Sequence, residues 1–121
     1  MQRETLLVGQ PFTRFMEFKG WKVKKTHGNQ YQEGFPDSYC YHHLFSPRWV
    51  EFKVWDGNTL SLTSSQKRCF PEMMTRQVPI FVIIHTDLRG NQAELERMYK
   101  KLFVEPNVHY AFNKSTYHFL K

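Results

Sequence analysis

Residues 49–55, Trp-Val-Glu-Phe-Lys-Val-Trp, carry the clearest strand pattern in the chain. Because side chains alternate faces along a β-strand, the two valines and the phenylalanine share one apolar face. Glu51 and Lys53 then lie side by side on the other face, between the two tryptophans. The turn residues Asp56-Gly57-Asn58 end the strand. The stretch therefore predicts a strand that buries one face and presents a carboxylate and an ammonium group on the other.

Outward from this strand, the hydrophobic pattern predicts the order helix, three strands, helix, strand and helix. The helices are predicted at 3–19, 64–76 and 91–103, and the strands at 21–26, 38–45, 49–55 and 79–85, with a last hairpin or edge strand within 108–121. A three-strand meander followed by a crossover helix implies a mixed sheet with helices on both faces. The predicted fold class is therefore α/β.

Local signals refine two of the helices. Gly9 and Pro11 interrupt the first helix, so Pro11 is expected to begin a second helical piece after a kink. Thr63 is a good N-cap for the second helix, and Pro71 is expected to kink it. The buried side of this helix is expected to carry Cys69, Phe70 and Met73.

The composition predicts a single packed domain, residues 1–121. Hydrophobic residues make up 40% of the chain and aromatic residues 17%, which is enough for a core. No run approaches the roughly 20 apolar residues that span a bilayer, so no membrane partner is expected. The beginning of the chain lacks the order of a signal peptide, and Cys40 and Cys69 are too few for a disulfide framework. We expect a soluble, cytoplasmic protein with reduced cysteines.

The chain carries a basic surplus, with 17 Lys and Arg against 11 Asp and Glu and a net charge of +6. Lysines and arginines release counterions from phosphates, so this surplus favours a polyanionic partner such as nucleic acid. Many small basic proteins bind nothing anionic, however, and the charge alone does not decide between the two alternatives.

Asp37 stands at the start of the predicted strand 38–45. If this strand and 49–55 form a hairpin through a turn at residues 46–48, Asp37 lies near the Glu51 side of its partner. Two carboxylates and the neighbouring lysine then converge at one end of the sheet. Taken alone, Pro-Asp is more often a turn or a strand cap, and Glu-x-Lys is more often a solvent-facing ion pair.

Several short motifs occur in order along residues 4–85. They are Gly20-Trp21, Lys25-Thr26-His27-Gly28, Gly34-Phe35-Pro36-Asp37, Val50-Glu51-Phe52-Lys53, Leu62-Thr63-x-x-Gln66 and Ile83-Ile84. In this order they resemble the PD-(D/E)XK nuclease superfamily, and in detail its small phage-type VRR-NUC and Holliday-junction-resolvase-like members. The resemblance implies a restriction-endonuclease-like αβββαβ core, a mixed central sheet flanked by helices. It also suggests a phage or bacterial genome, and hence action in a bacterial cell or a phage-infected host.

The resemblance further implies a metal site and a reaction. Asp37, Glu51 and the backbone carbonyl of Phe52 would hold Mg²⁺, with Mn²⁺ as a substitute, through the hard oxygen ligands that this ion prefers. Lys53 would lie beside the attacking water and help to orient it. The implied function is a Mg²⁺-dependent endodeoxyribonuclease that hydrolyses phosphodiester bonds by metal-activated water, with branched DNA such as a Holliday junction as a candidate substrate.

Two further residues join the predicted catalytic group through the resemblance. Gln66 follows Thr63 by three residues, so it is either a capping-box glutamine or, as in the family, a residue that reaches toward the catalytic site. Glu4 matches the acidic residue that many members carry on the first helix, where it can contribute to the metal site through water. Glu17 is the rival for that role, and an ordinary surface glutamate is the plain alternative for both.

Basic and aromatic residues interleave in Trp21–Lys25 with the loop that follows, and again in 107–121. Such mixtures can bind phosphates and stack on unpaired bases, but they also occur on edge strands that lysines protect from aggregation. We assign Lys25, His27 and Lys53 as nucleic-acid contacts. The role of the tail is left open.

Other functions are weighed against the nuclease. A non-catalytic nucleic-acid-binding module with the same fold has no physical need for clustered carboxylates near phosphates, and a small structural domain would make the motif series a coincidence. A zinc site is not expected, because the spacing of Cys40, His42 and His43 matches no common ligand pattern. A homodimer would allow two strands to be cut by two copies of one site. DNA against RNA, endo against exo action and the preferred substrate stay open.

Overall fold

A computed structural model of the chain describes residues 2–26, 34–55 and 62–105. It contains four strands, β1 (Lys22–Lys25), β2 (Ser38–Tyr41), β3 (Arg48–Val54) and β4 (Ile80–His85), and three α-helices, α1 (Gln10–Phe18), α2 (Ser64–Thr75) and α3 (Gln92–Tyr99). The order of these elements is the predicted one. The predicted strand or hairpin in 108–121 and the turn at 56–58 lie outside the described residues.

The four strands form one mixed sheet in the order β1-β2-β3-β4. The first three are antiparallel neighbours, and β4 runs parallel to β3 after the crossover through α2. This arrangement confirms the predicted α/β class with a mixed sheet. Strand β2 is shorter than predicted, because the chain turns at His42, whose ring Nδ1 accepts a hydrogen bond from the backbone N–H of Leu44 at 3.0 Å.

Helices cover both faces of the sheet. Helices α1 and α3 pack on the face that carries Val50 and Phe52 of β3. The buried side chains between these helices and the sheet form the larger of two core clusters, which we call the main cluster. Helix α2 packs on the opposite face, where its Phe70 and Met74 form a second buried cluster with Ile80 of β4. The main cluster also takes in Val8, Phe12, Met16, Phe81, Ile83 and Phe103.

Helix α2 continues through Pro71. Its buried residues are Gln66, Phe70 and Met74, which recur every four positions and therefore follow one face of the helix. Phe70 lies on the buried side as predicted, and the half-buried Met73 packs against the second buried cluster. Cys69 is half-buried and does not belong to this cluster. Both cysteines of the chain are free thiols.

The first helix changes type where the sequence predicts a break. Residues Thr5–Gly9 are π-helical and run directly into α1 at Gln10, one residue before the predicted start of a second piece. Pro11 has no N–H and cannot donate to the carbonyl of Leu7, as an α-helical residue would. The backbone N–H of Leu88 donates to that carbonyl instead, at 2.7 Å. The helix is continuous through this change of type. The bond from Leu88 joins it to the segment that follows β4.

Helix α3 begins at its N-cap Asn91, whose side chain accepts a hydrogen bond from the backbone N–H of Glu94. It is extended by a π-helical segment, Lys100–Val104, so the predicted helix at 91–103 is confirmed. Within the three described segments, no helix combines the length and the apolar character needed to cross a bilayer.

Arg48 begins β3 instead of belonging to a turn, and its side chain is fully buried. The guanidinium carbon lies 4.9 Å from the ring centre of Trp21 and 5.1 Å from those of Phe81 and Phe103. Its Nη1 lies 3.4 Å from the carbonyl oxygen of Phe103, at the end of the π-helical segment after α3. Burial lowers the pKa of Arg48 to about 10, which leaves the group charged at neutral pH. The aromatic faces and the carbonyls thus take the place of water around a buried cation.

We expect Arg48→Ala to lower the free energy of unfolding by about 3 kcal/mol or more, because it leaves a cavity and removes the donor to the helix end. Urea unfolding followed by circular dichroism measures this change. Arg68→Ala, at an exposed position on α2, is the matched control and should change stability by less than about 0.5 kcal/mol. Equal stability of the two variants would contradict a structural role for the buried guanidinium.

Candidate metal centre

Three carboxylates from separate parts of the chain meet at one end of the sheet. Glu4, Asp37 and Glu51 each offer a carboxylate oxygen, and these oxygens all lie within 4.8 Å of one another. They come from the beginning of the first helix, from the residue before β2 and from the middle of β3. The sequence-predicted pair Asp37 and Glu51 is therefore brought together, and Glu4 joins it.

Asp37 is fixed against β3 by two hydrogen bonds. The backbone N–H of Phe52 donates to Oδ2 of Asp37 at 2.8 Å, and the backbone N–H of Asp37 donates to Oε1 of Glu51 at 3.1 Å. The β2–β3 register pairs Ser38 with Val50, so Asp37 lies opposite Glu51, one step beyond the ladder. The predicted proximity of the two carboxylates is thus a direct result of the hairpin register.

Two residues that sequence reasoning did not assign to the site hold Asp37 in place. The side chain of Thr26 donates to the carbonyls of Pro36 and Asp37, at 2.9 and 3.1 Å. Gly34 has φ +87°, and a Cβ there would lie 2.6 Å from the carbonyl oxygen of Ser65 in α2. Only glycine fits this backbone conformation and this close approach. Both residues belong to motifs quoted above, but their roles depend on contacts with distant segments.

Glu51 is almost completely buried and has two polar neighbours besides Asp37. The side-chain amide of Gln66 donates to Oε2 of Glu51 at 2.9 Å. The Nζ of Lys53 lies 3.4 Å from the same oxygen, and the Lys53 side chain is only 12% exposed. Glu51 and Lys53 therefore form a buried pair, which excludes the solvent-facing ion pair as an interpretation.

Gln66 is a capping-box glutamine and also reaches toward the carboxylate cluster. Its Oε1 accepts a hydrogen bond from the backbone N–H of Thr63 at 3.1 Å, and its own backbone N–H donates to the Thr63 hydroxyl at 3.2 Å, which completes a capping box. The amide nitrogen remains free to donate to Glu51. The N-terminus of α2 and the carboxylate cluster thus share one side chain.

Glu4 reaches the cluster through the π-helical segment that follows it. Gly9, at the end of that segment, lies against the ring of Phe52, where an added Cβ would lie 3.4 Å from Cδ2. This contact brings the helix close to β3, so Glu4 extends over the end of the sheet. Glu17 is exposed near the other end of the helix, on the order of 20 Å along its axis from Glu4 by the rise of about 1.5 Å per residue. The structure therefore favours Glu4 over its rival.

Burial disfavours ionisation of all three carboxylates by raising their pKa values, and repulsion from neighbouring carboxylates adds to this shift at Glu4 and Glu51. Burial, together with the charge of Asp37, raises the pKa of Glu51 to about 8. Burial also raises the pKa values of Asp37 and Glu4, although the hydrogen bond from Phe52 and the charge of Lys53 oppose the shift at Asp37. Like charges held this close in a poorly solvated place are the arrangement that a bound cation stabilises.

A cavity of about 400 Å³ opens beside the cluster. Its walls include Glu4, Asp37 and Phe52, and Lys25 brings a positive charge to it. The N–H and the C=O of one strand residue point to the same side, so the Phe52 carbonyl faces the side on which its N–H meets Asp37. The other lining residues are Gln2, Thr5, Gly9, Thr26 and Ser38.

The oxygen atoms of this site fit a small divalent cation. Mg²⁺ binds hard oxygen ligands at about 2.1 Å, so two of its ligands lie at most about 4.2 Å apart. The separations within 4.8 Å of the carboxylate oxygens of Glu4, Asp37 and Glu51 come close to this limit, and small side-chain adjustments close the difference. The carbonyl of Phe52 adds a neutral ligand of the same kind. The charge of Lys53 would remain beside the cation.

The other predicted contacts are placed less completely. Lys25 is exposed on β1 and lines the cavity, whereas His27 lies outside the described residues. Cys40 is buried, and the His42 ring Nε2 is 2.9 Å from the carbonyl oxygen of Lys19. Within the described segments, Cys40, His42 and His43 do not form a common group of ligand atoms.

Gly34→Ala should reduce stability by about 2 kcal/mol or more, because it adds backbone strain and forces the chain away from α2 just before Asp37. Gly90→Ala is the matched control, since Gly90 has φ +67° and an added Cβ there meets no atom within 4 Å. Thermal unfolding of both variants separates the clash from the backbone conformation. A loss no larger at Gly34 than at Gly90 would contradict the contact with Ser65.

The metal-free protein should lose stability as the pH rises from about 5 to about 8. In this range the folded state keeps a proton on Glu51 that the unfolded chain has released, so the folded state binds more protons and stability falls with pH. Glu51→Gln removes this titration. In EDTA its melting temperature should exceed that of the parent by several degrees at pH 8, and the difference should shrink toward pH 5. A difference that does not change with pH would show that Glu51 is ionised throughout.

Comparison of the chain with family models, with curated proteins and with solved structures found no match. The chemistry assigned to the carboxylate cluster therefore rests on its residues and their geometry.

Proposed function

We propose that this protein is a Mg²⁺-dependent nuclease of the PD-(D/E)XK type, an endodeoxyribonuclease that hydrolyses phosphodiester bonds. One observation supports this more than any other. The carboxylates of Glu4, Asp37 and Glu51 converge within 4.8 Å, and Lys53 lies next to Glu51 in the same buried site. The order of helices and strands agrees with the restriction-endonuclease-like core that this proposal requires.

Asp37 and Glu51 would hold the ion directly, with the carbonyl of Phe52, and Glu4 would bind it directly or through water. When bound, Mg²⁺ supplies neutralisation of the phosphate charge and activation of a water. The hydrogen bonds from Phe52 and Gln66 fix the two carboxylates before any ion arrives. Such fixed ligands reduce the reorganisation needed on binding.

Lys53 would contact the attacking water and the phosphate from a position beside the carboxylates that bind the ion. Its ammonium group has three N–H donors. The Nζ lies 3.4 Å from Oε2 of Glu51, and this contact uses one of the three donors. The remaining donors can hold the attacking water and stabilise negative charge as it develops on the phosphate oxygens. Gln66 holds Glu51 and is therefore a positioning residue. Lys25, at the cavity wall, would contact the phosphate backbone.

A purely structural or purely binding role accounts poorly for this site. Carboxylates repel the phosphates of a nucleic acid, and burial of three of them together costs stability unless a cation is present. A non-catalytic binding module would gain from their removal. Two copies of the chain would cut the two strands of a duplex, since each copy brings one such site.

The parent protein should cut supercoiled, linear or branched DNA with Mg²⁺ or Mn²⁺, and EDTA should stop it. Asp37→Asn, Glu51→Gln and Lys53→Ala should each reduce the cleavage rate by about 100-fold or more, since each removes a ligand or a transition-state donor. Agarose and denaturing gels measure the rates on DNA and RNA substrates. Binding without cutting under any of these conditions would favour the non-catalytic module.

Glu4→Gln and Glu17→Gln form a matched pair for this assay. The first should slow cleavage because Glu4 belongs to the cluster, and the second should not because Glu17 is exposed elsewhere on the helix. Mg²⁺ should also raise the melting temperature of the parent more than that of Glu51→Gln. Parent-like cleavage by Asp37→Asn or Lys53→Ala would refute the assignment of the site.

A further inference from the structure

A row of aromatic side chains crosses the sheet face opposite α1. It consists of Phe35, Trp49, Tyr39 and Tyr41, and we call it the aromatic strip. Neighbouring ring centres lie 5.5 Å apart from Phe35 to Trp49, 5.1 Å from Trp49 to Tyr39 and 6.0 Å from Tyr39 to Tyr41. The register explains the row, since Tyr39 is opposite Trp49 and partners in an antiparallel pair share a face.

The strip is open to solvent at both ends. Tyr41 is 38% exposed and Phe35 is 37% exposed, while Tyr39 and Trp49 are half-buried. The intervening residues Ser38 and Cys40 of β2 are fully buried on the other face. Strand β2 thus buries small side chains and presents large aromatic ones outward, the reverse of what core packing alone would select.

Lysines flank the strip along β1. Lys22 is paired with Tyr41 and Lys24 with Tyr39, so each ammonium group rises beside an aromatic ring on the same face. Both lysines are exposed. Protection of an edge strand from aggregation would explain the lysines but not the exposed rings next to them. Alternating cations and aromatic faces match the alternating phosphates and bases of a nucleic acid strand.

We propose that the aromatic strip binds an unpaired nucleic acid strand, with bases stacked on Tyr39 and Tyr41 and phosphates on Lys22 and Lys24. Bases inside a duplex are stacked on one another and expose only their edges, so the rings can stack only on unpaired bases. The inference rests on the proposed nuclease function for the role of this strand as substrate, but the binding itself does not depend on cleavage.

The aromatic strip lies close to the carboxylate cluster. Tyr39 lies two residues along the strand from Asp37, about 7 Å by the rise of a β-strand. A strand that stacks on Tyr39 therefore passes within one or two nucleotides of the Asp37 carboxylate at the end of the sheet. The proposed substrate is a nucleic acid with a single-stranded segment next to the cleaved bond, in preference to continuous duplex.

Binding is tested without cleavage, in EDTA, with a fluorescein-labelled dT oligonucleotide and a duplex of equal length. The parent should bind dT more tightly than the duplex, and stacking should quench its tryptophan fluorescence. Tyr39→Ala with Tyr41→Ala should weaken dT binding by about tenfold or more, and the corresponding Phe variants should restore most of it. Lys22→Ala and Lys24→Ala should each reduce the slope of log affinity against log salt by about 0.7.

Phe18→Ala is the matched control, because Phe18 is an 82% exposed aromatic residue on α1, away from the strip. Circular dichroism verifies that the variants fold, and Tyr41→Ala alone serves if the double variant does not. Parent-like dT binding by folded tyrosine-to-alanine variants, equal affinity for duplex, or no dT binding by the parent would overturn the proposal. Binding that needs the strip, with no cleavage of any substrate, would instead refute the nuclease and leave the strip intact.

Discussion

The hydrogen bond from the backbone N–H of Phe52 to the carboxylate of Asp37 connects the sheet to the candidate site. It extends the β2–β3 pairing beyond its last ladder residue and uses a side chain in place of a backbone carbonyl. This bond fixes one carboxylate oxygen of Asp37. The backbone N–H of Asp37 in turn donates to the carboxylate of Glu51 and fixes it as well. The contacts of Thr26 and Gly34 that hold the preceding segment serve this same geometry.

The site places like charges together in a poorly solvated position, and the surrounding side chains offset only part of their repulsion. Lys53 and Gln66 offset some of the repulsion at Glu51, yet its pKa remains raised to about 8. Arg48 is the other buried charge, and it is compensated differently, by three aromatic faces and by carbonyls at a helix end. Aromatic rings and carbonyl dipoles offset part of the cost of burying Arg48, whose Nη2 has no hydrogen-bond partner among the described residues. Clustered carboxylates are instead stabilised by a bound cation.

The sequence predicted the order of elements and the pairing of Glu51 with Lys53 because these depend on local periodicity. The α/β class and the mixed sheet followed from the three strands before the crossover helix. The position of Asp37 depends on the register of a hairpin, and the strand patterns of 38–45 and 49–55 predict it only on the condition that this hairpin forms. The helix start near Gln10 follows from Pro11, but the π-helical segment does not, because no local pattern within Thr5–Gly9 indicates it.

Other parts depended on contacts between segments far apart in sequence. Gly34 and Thr26 were visible as motif members, but the need for a glycine arises from Ser65 of α2. Arg48 was assigned to a turn, because nothing local distinguishes a buried arginine from an exposed one. Cys69 is less buried than predicted, since the helix faces the sheet along the line of Gln66, Phe70 and Met74.

The π-helical segment Thr5–Gly9 has a consequence for how this chain tolerates insertions and deletions. A π-helical turn holds about one residue more than an α-helical turn, so the segment stores one residue of helical phase. Deletion of a single residue there would let the helix become α-helical throughout and would leave Glu4 at nearly the same angle around the axis. Deletion of one residue from regular α-helix would instead rotate everything before it by about 100° and take Glu4 out of the carboxylate cluster. The three-carboxylate site therefore tolerates the loss of one residue within Thr5–Gly9 better than the loss of one residue within α1.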